Sequence, residues 1–403
     1  MKKSLVAVIA VLGACFMAAQ GAEAKTLEDV LKEKGVITEA DYQEVAKSSK
    51  PFDYKLGKGF TFTSADEKFQ LSVGGRTQIR YTFTDYDNDR TAATTPFART
   101  TDSSQFNAQR VILNFMGYAY SKDLTFKTEL DVRQLATGTS RNGLRDVFLN
   151  YRFMDELQLL VGQTKVKFGY NTIQSDGALM FVDRSPIYTA FTPSYEVGAF
   201  AYGKAFNGLV EYATSVTNGD GQTTAAGSND NCFAARIAVS PLGAVSMDEP
   251  DLAISKKPVF TIGANYLHNT LDTDGNAAYA TIAGAGATVN SYGVDGHFKW
   301  MGLALQGEAI FLDGNSDALV YYGQAGYMIT PKLGVAVRYT VQDKDRAASS
   351  DLRSEQMGAI SYYFDKHNLK VQADIANLHD QNGARNAGTT DDMQYRAQVQ
   401  LVF

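Results

Sequence analysis

Two cysteines, one tryptophan, four histidines and eight prolines are all that 403 residues contain of those types. Cys15 lies in an apolar leader, so once that leader is removed Cys232 has no partner in the chain and no internal disulfide can brace the fold. The histidines, His268, His297, His367 and His379, are scattered without ligand spacing, so neither a metal site nor a cofactor is expected. No Gly-x-Ser-x-Gly step occurs and no Ser, His and acid arrangement can be assembled, so the chain does not read as an enzyme. A formal charge of −6 argues against a nucleic-acid partner, although it averages over faces and leaves the sign inside any one cavity open. Beyond the leader no apolar run is long enough for a membrane-spanning helix. That excludes nothing about strands, which cross with about 9 to 11 residues and one apolar face. Scarce proline with 35 Gly, 22 Tyr and 23 Phe suits such a barrel: few ladder breakers, many turns, many rings for the membrane interfaces.

The leader, residues 1–24, has Lys2 and Lys3 before an apolar run and Ala22 and Ala24 at its end, which predicts a signal peptide cleaved near Ala24. "LGAC" approaches a lipoprotein box that would acylate Cys15, but apolar sequence continues past it and the Ala-x-Ala site follows. Residues 25–48 form the helical part: Leu27, Val30 and Leu31 share a face ending at Gly35, and Thr38 can cap a second short helix. A short periplasmic segment is expected there, as appendage or spacer. Residues 49–68 read as a linker.

From Phe69 to Phe403 the period is two. "FQLSVGGRTQIRYTF" puts Phe69, Leu71, Val73, Ile79, Tyr81 and Phe83 on one face and Gln70, Ser72, Arg76, Gln78 and Arg80 on the other. Comparable runs recur to the end, and counting them predicts an all-β, 16-stranded antiparallel transmembrane β-barrel over 69–403. The connections alternate between long polar loops and tight turns such as "SKD", "MDE", "TPK" and "DKHN", as in an up-and-down barrel with its loops on one side. One connection breaks the rule: "SPLGAVSMDEPDLAISKKP", with three prolines and two adjacent lysines, reads as a structured turn.

With aromatic and aliphatic residues toward lipid, the opposite face lines a pore. It carries Arg76, Arg80, Arg110, Arg133, Arg152, Arg236, Arg338 and Arg396, joined by Lys127, Lys299 and Lys370, against Glu129, Asp131, Asp295, Glu308 and Asp374. Guanidinium groups stay charged and offer forked donors to oxyanions, so such a wall favours anions without trapping them. The competing reading is that these arginines pair with the acids beside them and only neutralise the wall. "DYDNDR" has alternating aspartates, but Arg90 and Pro96 replace the glycine and terminal acid of a calcium loop, and "AGAGA" lacks the strand and helix of a nucleotide cradle.

The segment "VGQTKVKFGYNTIQSDGALMFVDRSPIYTAFTPSYEVGAFAYG", Val161 to Gly203, resembles the signature of the phosphate-selective porin O and P family: a Gly-Gln-x-Lys-x-x-Phe-Gly strand end, an acid-Arg-Ser step, then Phe-x-Pro-Ser. "AQRVIL", "VRYT" and the final Phe403 are similar as well. The resemblance implies a sixteen-stranded barrel of the bacterial outer membrane, usually a homotrimer, with one loop folded inward as the constriction, here about 169–195. It places Lys165, Asp183 and Arg184 at that constriction, with Lys167 where the family commonly has proline. The function implied is passive diffusion of small hydrophilic solutes, with preference for phosphate-like anions. The partners implied are outer-membrane lipid and lipopolysaccharide, and barrel-assembly machinery reached through Phe403. An alternative is a sheath for a partner such as a multihaem cytochrome; the chain has no Cys-x-x-Cys-His, so that haem would be the partner's.

Overall fold

The structure, a computed structural model, describes residues 31–36, 38, 51–87, 101–136, 143–222, 231–270, 286–347, 352–379 and 391–403. The expected signal peptide and most of the helical segment expected at 25–48 lie outside those residues.

Sixteen strands close on one another. They are β3 (Phe69–Asp85), β4 (Ser103–Ala119), β5 (Ser121–Asp131), β6 (Leu144–Met154), β7 (Leu157–Lys165), β8 (Tyr195–Ala205), β9 (Val210–Thr217) and β10 (Cys232–Val239). The second half is β11 (Val259–Thr270), β12 (Thr288–Trp300), β13 (Leu303–Asp313), β14 (Ala318–Met328), β15 (Leu333–Asp343), β16 (Leu352–Asp365), β17 (Leu369–His379) and β18 (Asp391–Val402). Each pairs antiparallel with the next, and β18 returns to β3 from Met393 opposite Asp85 to Val402 opposite Arg76. Closure pairs the ladder donors and acceptors around the ring, which a sheet in hydrocarbon requires.

Alternation decides the two faces. On β15, Val337 and Tyr339 are 61% and 47% exposed while Arg338 and Thr340 between them are 4% and 0% exposed. Apolar side chains thus point away from the lumen and polar ones into it, the inverse of a soluble core. Five register shifts interrupt the ladders among the described residues, and two of them bear on the lumen wall beside the loop. Gln78 faces Arg110 but Ile79 faces Ala108, leaving Gln109 as an extra residue on β4. Between β5 and β6 the register jumps from Thr128 opposite Val147 to Leu130 opposite Leu144. A bulge changes which side chains face inward.

Residues read as linker form a hairpin, β1 (Phe52–Lys55) and β2 (Gly59–Thr63). Strand β2 pairs with β3 at Gln70–Val73, on the edge that β18 occupies higher up. Gly57 and Gly59, with φ of 83° and 78°, allow the turn. Strand β5 stops at Asp131, and Val132–Ala136 form a short helix, α1.

The lumen is not empty. The connection between β7 and β8 folds into it with two one-turn helices, α2 (Tyr170–Ile173) and α3 (Pro186–Thr189). Its Phe168, Tyr188 and Phe191 pack on the inward faces of β11, β13 and β14 at Leu267, Ile310, Leu312 and Val320. A second cluster seats Met180 and Phe181 against Ala304, Ala336, Met357 and Ala376. These apolar inward positions are where the loop buries its own hydrophobic side.

Candidate constriction site

The loop is fastened to the wall mostly through its backbone. The N–H groups of Tyr170 and Asn171 donate to the Glu308 carboxylate at 2.8 and 3.2 Å, and Val182 N–H donates to Asp374 at 2.9 Å. Ser185 donates to Glu355 at 2.9 Å. In the other direction Lys370 donates to the carbonyl of Leu179, Gln372 to those of Leu179 and Met180, and Gln400 to that of Gly177. Buried carbonyls and amides lose water on entering the lumen, so each needs such a partner.

Against β3, β4 and β6 the loop presents two carboxylates to a row of guanidinium groups. Asp176 meets Arg76, Arg110 Nε at 2.7 Å and Arg145 Nη2 at 3.0 Å. Asp183 accepts from Arg80 at 2.8 Å and Arg110 at 2.9 Å. Burial pushes the Asp176 carboxyl up, but Arg145, Arg76 and Arg110 outweigh it and hold it well below the ordinary range. For Asp183 burial is likewise outweighed, by Arg110 and Arg80. The loop can come this close because residue 177 is glycine: a Cβ there would fall 2.5 Å from Arg76 Nη1.

Arg145 is the residue that alternation misses. Val147, Leu149 and Tyr151 point outward, so an unbroken β6 would put Arg145 outward too. The β5–β6 bulge instead brings it in beside Asp146, where it reaches Asp176, lies 3.2 Å from Glu129 and stacks 5.4 Å from the Tyr195 ring. The break between Asp146 and Val147 in the apolar rhythm is the only trace of this in the sequence.

The other expected residues separate into groups. Arg236 and Arg396 face the lumen but are forked onto wall acids, Asp295 and Asp374. Arg338 donates to Gln324 and to the Asp183 carbonyl and lies 4.0 Å over the Phe181 ring. Arg133, expected on a strand, sits in α1 and donates to the Gln109 carbonyl at 3.4 Å, because the strand ends before it. Arg152 lies half-exposed at the turn between β6 and β7, paired with Asp123 and Asp155. Lys165 is at the constriction, but its ammonium holds the loop, donating to the carbonyls of Thr172 and Gln174 at 2.6 and 2.9 Å. Arg184 does the same for Asn171 and Gln174. Burial lowers the Lys167 pKa from the ordinary lysine range, partly offset by Asp146.

Because the loop is pressed to the β11–β18 side, space remains on the other. A cavity of about 530 Å³ lies between Ile173, Ser175 and Asp176 of the loop and the walls of β5 to β10. Seven lysines and arginines line it, among them Arg76, Lys127, Arg145, Lys165 and Lys167, against four acids, Glu129, Asp146, Asp176 and Glu211.

A closed sixteen-stranded barrel, apolar outside and narrowed by an infolded loop, defines an outer-membrane channel. The chain belongs to the family described as phosphate-selective porin O and P, which it matches over residues 72–403. An uncharacterized protein of Aquifex aeolicus (strain VF5) is 25% identical over 251 residues, 55% of this chain. The chain spans 60% of that relative's length. Among solved structures, the outer membrane channel DcaP of Acinetobacter baumannii superposes with a TM-score of 0.57 at 16% identity, covering 86% of this chain and 100% of that one. The anion-selective porin of Comamonas acidovorans gives a TM-score of 0.55 at 10% identity, covering 83% and 100%. At these identities both likenesses speak for the fold alone.

Proposed function

We propose that this porin passes small hydrophilic solutes by diffusion and prefers anions, phosphate-like oxyanions included. The observation that carries the reading is the open side of the constriction, where seven basic side chains face four acidic ones, Arg236 among the seven being paired to Asp295 outside the lining, while the chain as a whole is acidic. An anion entering the narrow part loses water, and fixed guanidinium and ammonium groups offset that loss at several weak sites in series. Arg76, Arg80, Arg110, Arg145 and Lys127 form one network with Asp176, Asp183, Glu129 and Asp146, five basic groups against four acidic ones. A barrel of this fold is anion-selective in Comamonas acidovorans, so the architecture is compatible with that sign of selectivity. A sheath for a cytochrome is disfavoured because the chain's own loop and the turn at 241–258 occupy the space such a partner needs.

The same reading extends to the surroundings. The outward face would meet lipid and lipopolysaccharide, and Phe403, whose N–H and carbonyl bond Gly75 at 2.9 and 2.7 Å, would be the element that assembly machinery reads. Gly323, Ala325 and Gly358 leave a shallow depression suited to a neighbouring barrel in a homotrimer, which cross-linking in detergent tests. Single-channel recording of the purified protein in planar bilayers tests the function itself: stepwise conductance with an anion-signed zero-current potential supports it, and absence of conductance refutes it.

A further inference from the structure

The long connection between β10 and β11, residues 241–258, belongs to the side with tight turns yet does not stay at the rim. It rises into the lumen and meets the constriction loop. Its base is held by Asp251, which accepts from Ser255 N–H and Gly302 N–H, both at 2.9 Å, and by Lys299, which donates to the Ser246 hydroxyl at 2.8 Å and to the Asp248 carbonyl. Its apex carries Glu249, 2% exposed. The Glu249 N–H donates to the Ala178 carbonyl at 3.0 Å, and its carboxylate accepts from Met180 N–H at 2.7 Å and from Asn171 Nδ2 at 3.2 Å. Between Asn171 and Ala178 in the loop's path, Gln174 Nε2 donates to the Met247 carbonyl at 3.0 Å. A buried carboxylate is expensive unless its oxygens are satisfied, and here the hydrogen-bond donors belong to the loop, with the buried Arg338 guanidinium of β15 as counter-charge 3.8 Å away.

We infer that Glu249 is a positioning residue of the constriction: the turn is a second jaw that latches the loop from below, so that solutes pass only on the β5–β10 side. Wall bonds hold the loop from β13, β16, β17 and β18, and the turn adds a hold from below at Asn171, Ala178 and Met180, where a long connection would otherwise be free to shift. Releasing the latch frees the stretch from Asn171 to Met180 to shift locally and widens the passage beside it. The inference rests on the diffusion-channel reading and deepens it.

Single-channel recording of Glu249→Ala and Glu249→Gln in the full-length protein tests it. Glutamine can keep both contacts, accepting from Met180 N–H and donating to Asn171 once that amide turns over. Alanine keeps neither. Loss of one hydrogen bond to a charged group multiplies the undocked population by about tenfold or more, so Glu249→Ala should visit substates of higher conductance at least about tenfold more often than wild type. Glu249→Gln should behave as wild type, which separates the latch from the charge. Equal substate occupancy in wild type and Glu249→Ala overturns the inference, and so does a Gln variant that mimics Ala. Wild type without conductance overturns the channel reading instead. Should Glu249→Ala not assemble, Asn171→Ala, which removes one of the two loop bonds to the Glu249 carboxylate and leaves Glu249 in place, must raise the same substates or the inference fails.

Discussion

Replacing Arg145 by glutamine removes one positive charge from the open side of the constriction and leaves the scaffold in place. Asp176 keeps Arg76 and Arg110, Glu129 keeps Lys127 at 2.8 Å, and glutamine, though shorter, keeps a polar amide at its tip. A chloride ion passing at about 6 Å from the lost charge forfeits about 0.7 kcal/mol if the effective dielectric is that of water, and about 2.8 kcal/mol at the value of about 20 typical of protein surfaces. Those limits correspond to roughly a threefold and a hundredfold drop in local anion occupancy. The pore is wet and its other cations remain, so the lower limit governs: the anion-to-cation permeability ratio should fall by about threefold or more. Zero-current potentials across planar bilayers in a potassium chloride gradient measure it, best at about 0.1 M salt, where the screening length is still about 10 Å. A ratio that stays put, in a variant with normal heat-modifiability, would mean that Arg145 only neutralises Asp176 and Glu129 and that the bulge at β6 has no bearing on selectivity.

Other outcomes follow from the same contacts. Lys165→Met loses two bonds from a charged donor to the loop, each worth about 1.5 to 3 kcal/mol, and should lower the unfolding temperature and make the open current noisier. Gly75→Val places a Cβ 2.7 Å from the Phe403 ring and 2.8 Å from the Ile112 carbonyl, so the folded, heat-modifiable band on a gel should weaken, as it should on deleting Phe403. Arg396→Ala strands the buried Asp374, which also holds Val182, and should destabilise the barrel by about 3 to 5 kcal/mol rather than alter the current alone, as urea titration would show. Asp176 and Asp183 have depressed folded pKa values, so the stability they contribute is present above about pH 4 and is lost only as pH falls through the folded values. These two carboxylates therefore keep their charge from pH 8 to about 5, and a step of ion preference in that window that vanishes in Asp176→Asn would contradict the ion-pair geometry.

The strands were legible because a period of two over ten residues is hard to produce by chance, and each run read from alternation corresponds to one strand of the ring. The infolded loop was legible by its length and by the motif from Val161 to Gly203. Less visible was what depends on breaks in the pattern. Arg145 faces inward only because β6 is bulged, and "NAQRVI" likewise hides the extra Gln109 that turns Arg110 toward the loop. Ile310, Leu312 and Val320 point inward against the polar-lumen rule, and in strands that are apolar on both faces nothing local says that a loop will cover them. The hairpin at Phe52–Thr63 had a signal, alternating aromatics around Gly57 and Gly59, but its strands are too short to stand out from a linker. Which arginines pair with which acids depends on register across distant strands and was not legible at all.

The central claim is that the open side of the constriction carries an excess of positive charge that passing ions feel. The zero-current potential of the wild-type protein in a potassium chloride gradient tests it most directly. A potential of the sign set by chloride, shrinking as salt is raised and phosphate reducing the chloride current, is the predicted result. A potential of the sign set by potassium contradicts the account.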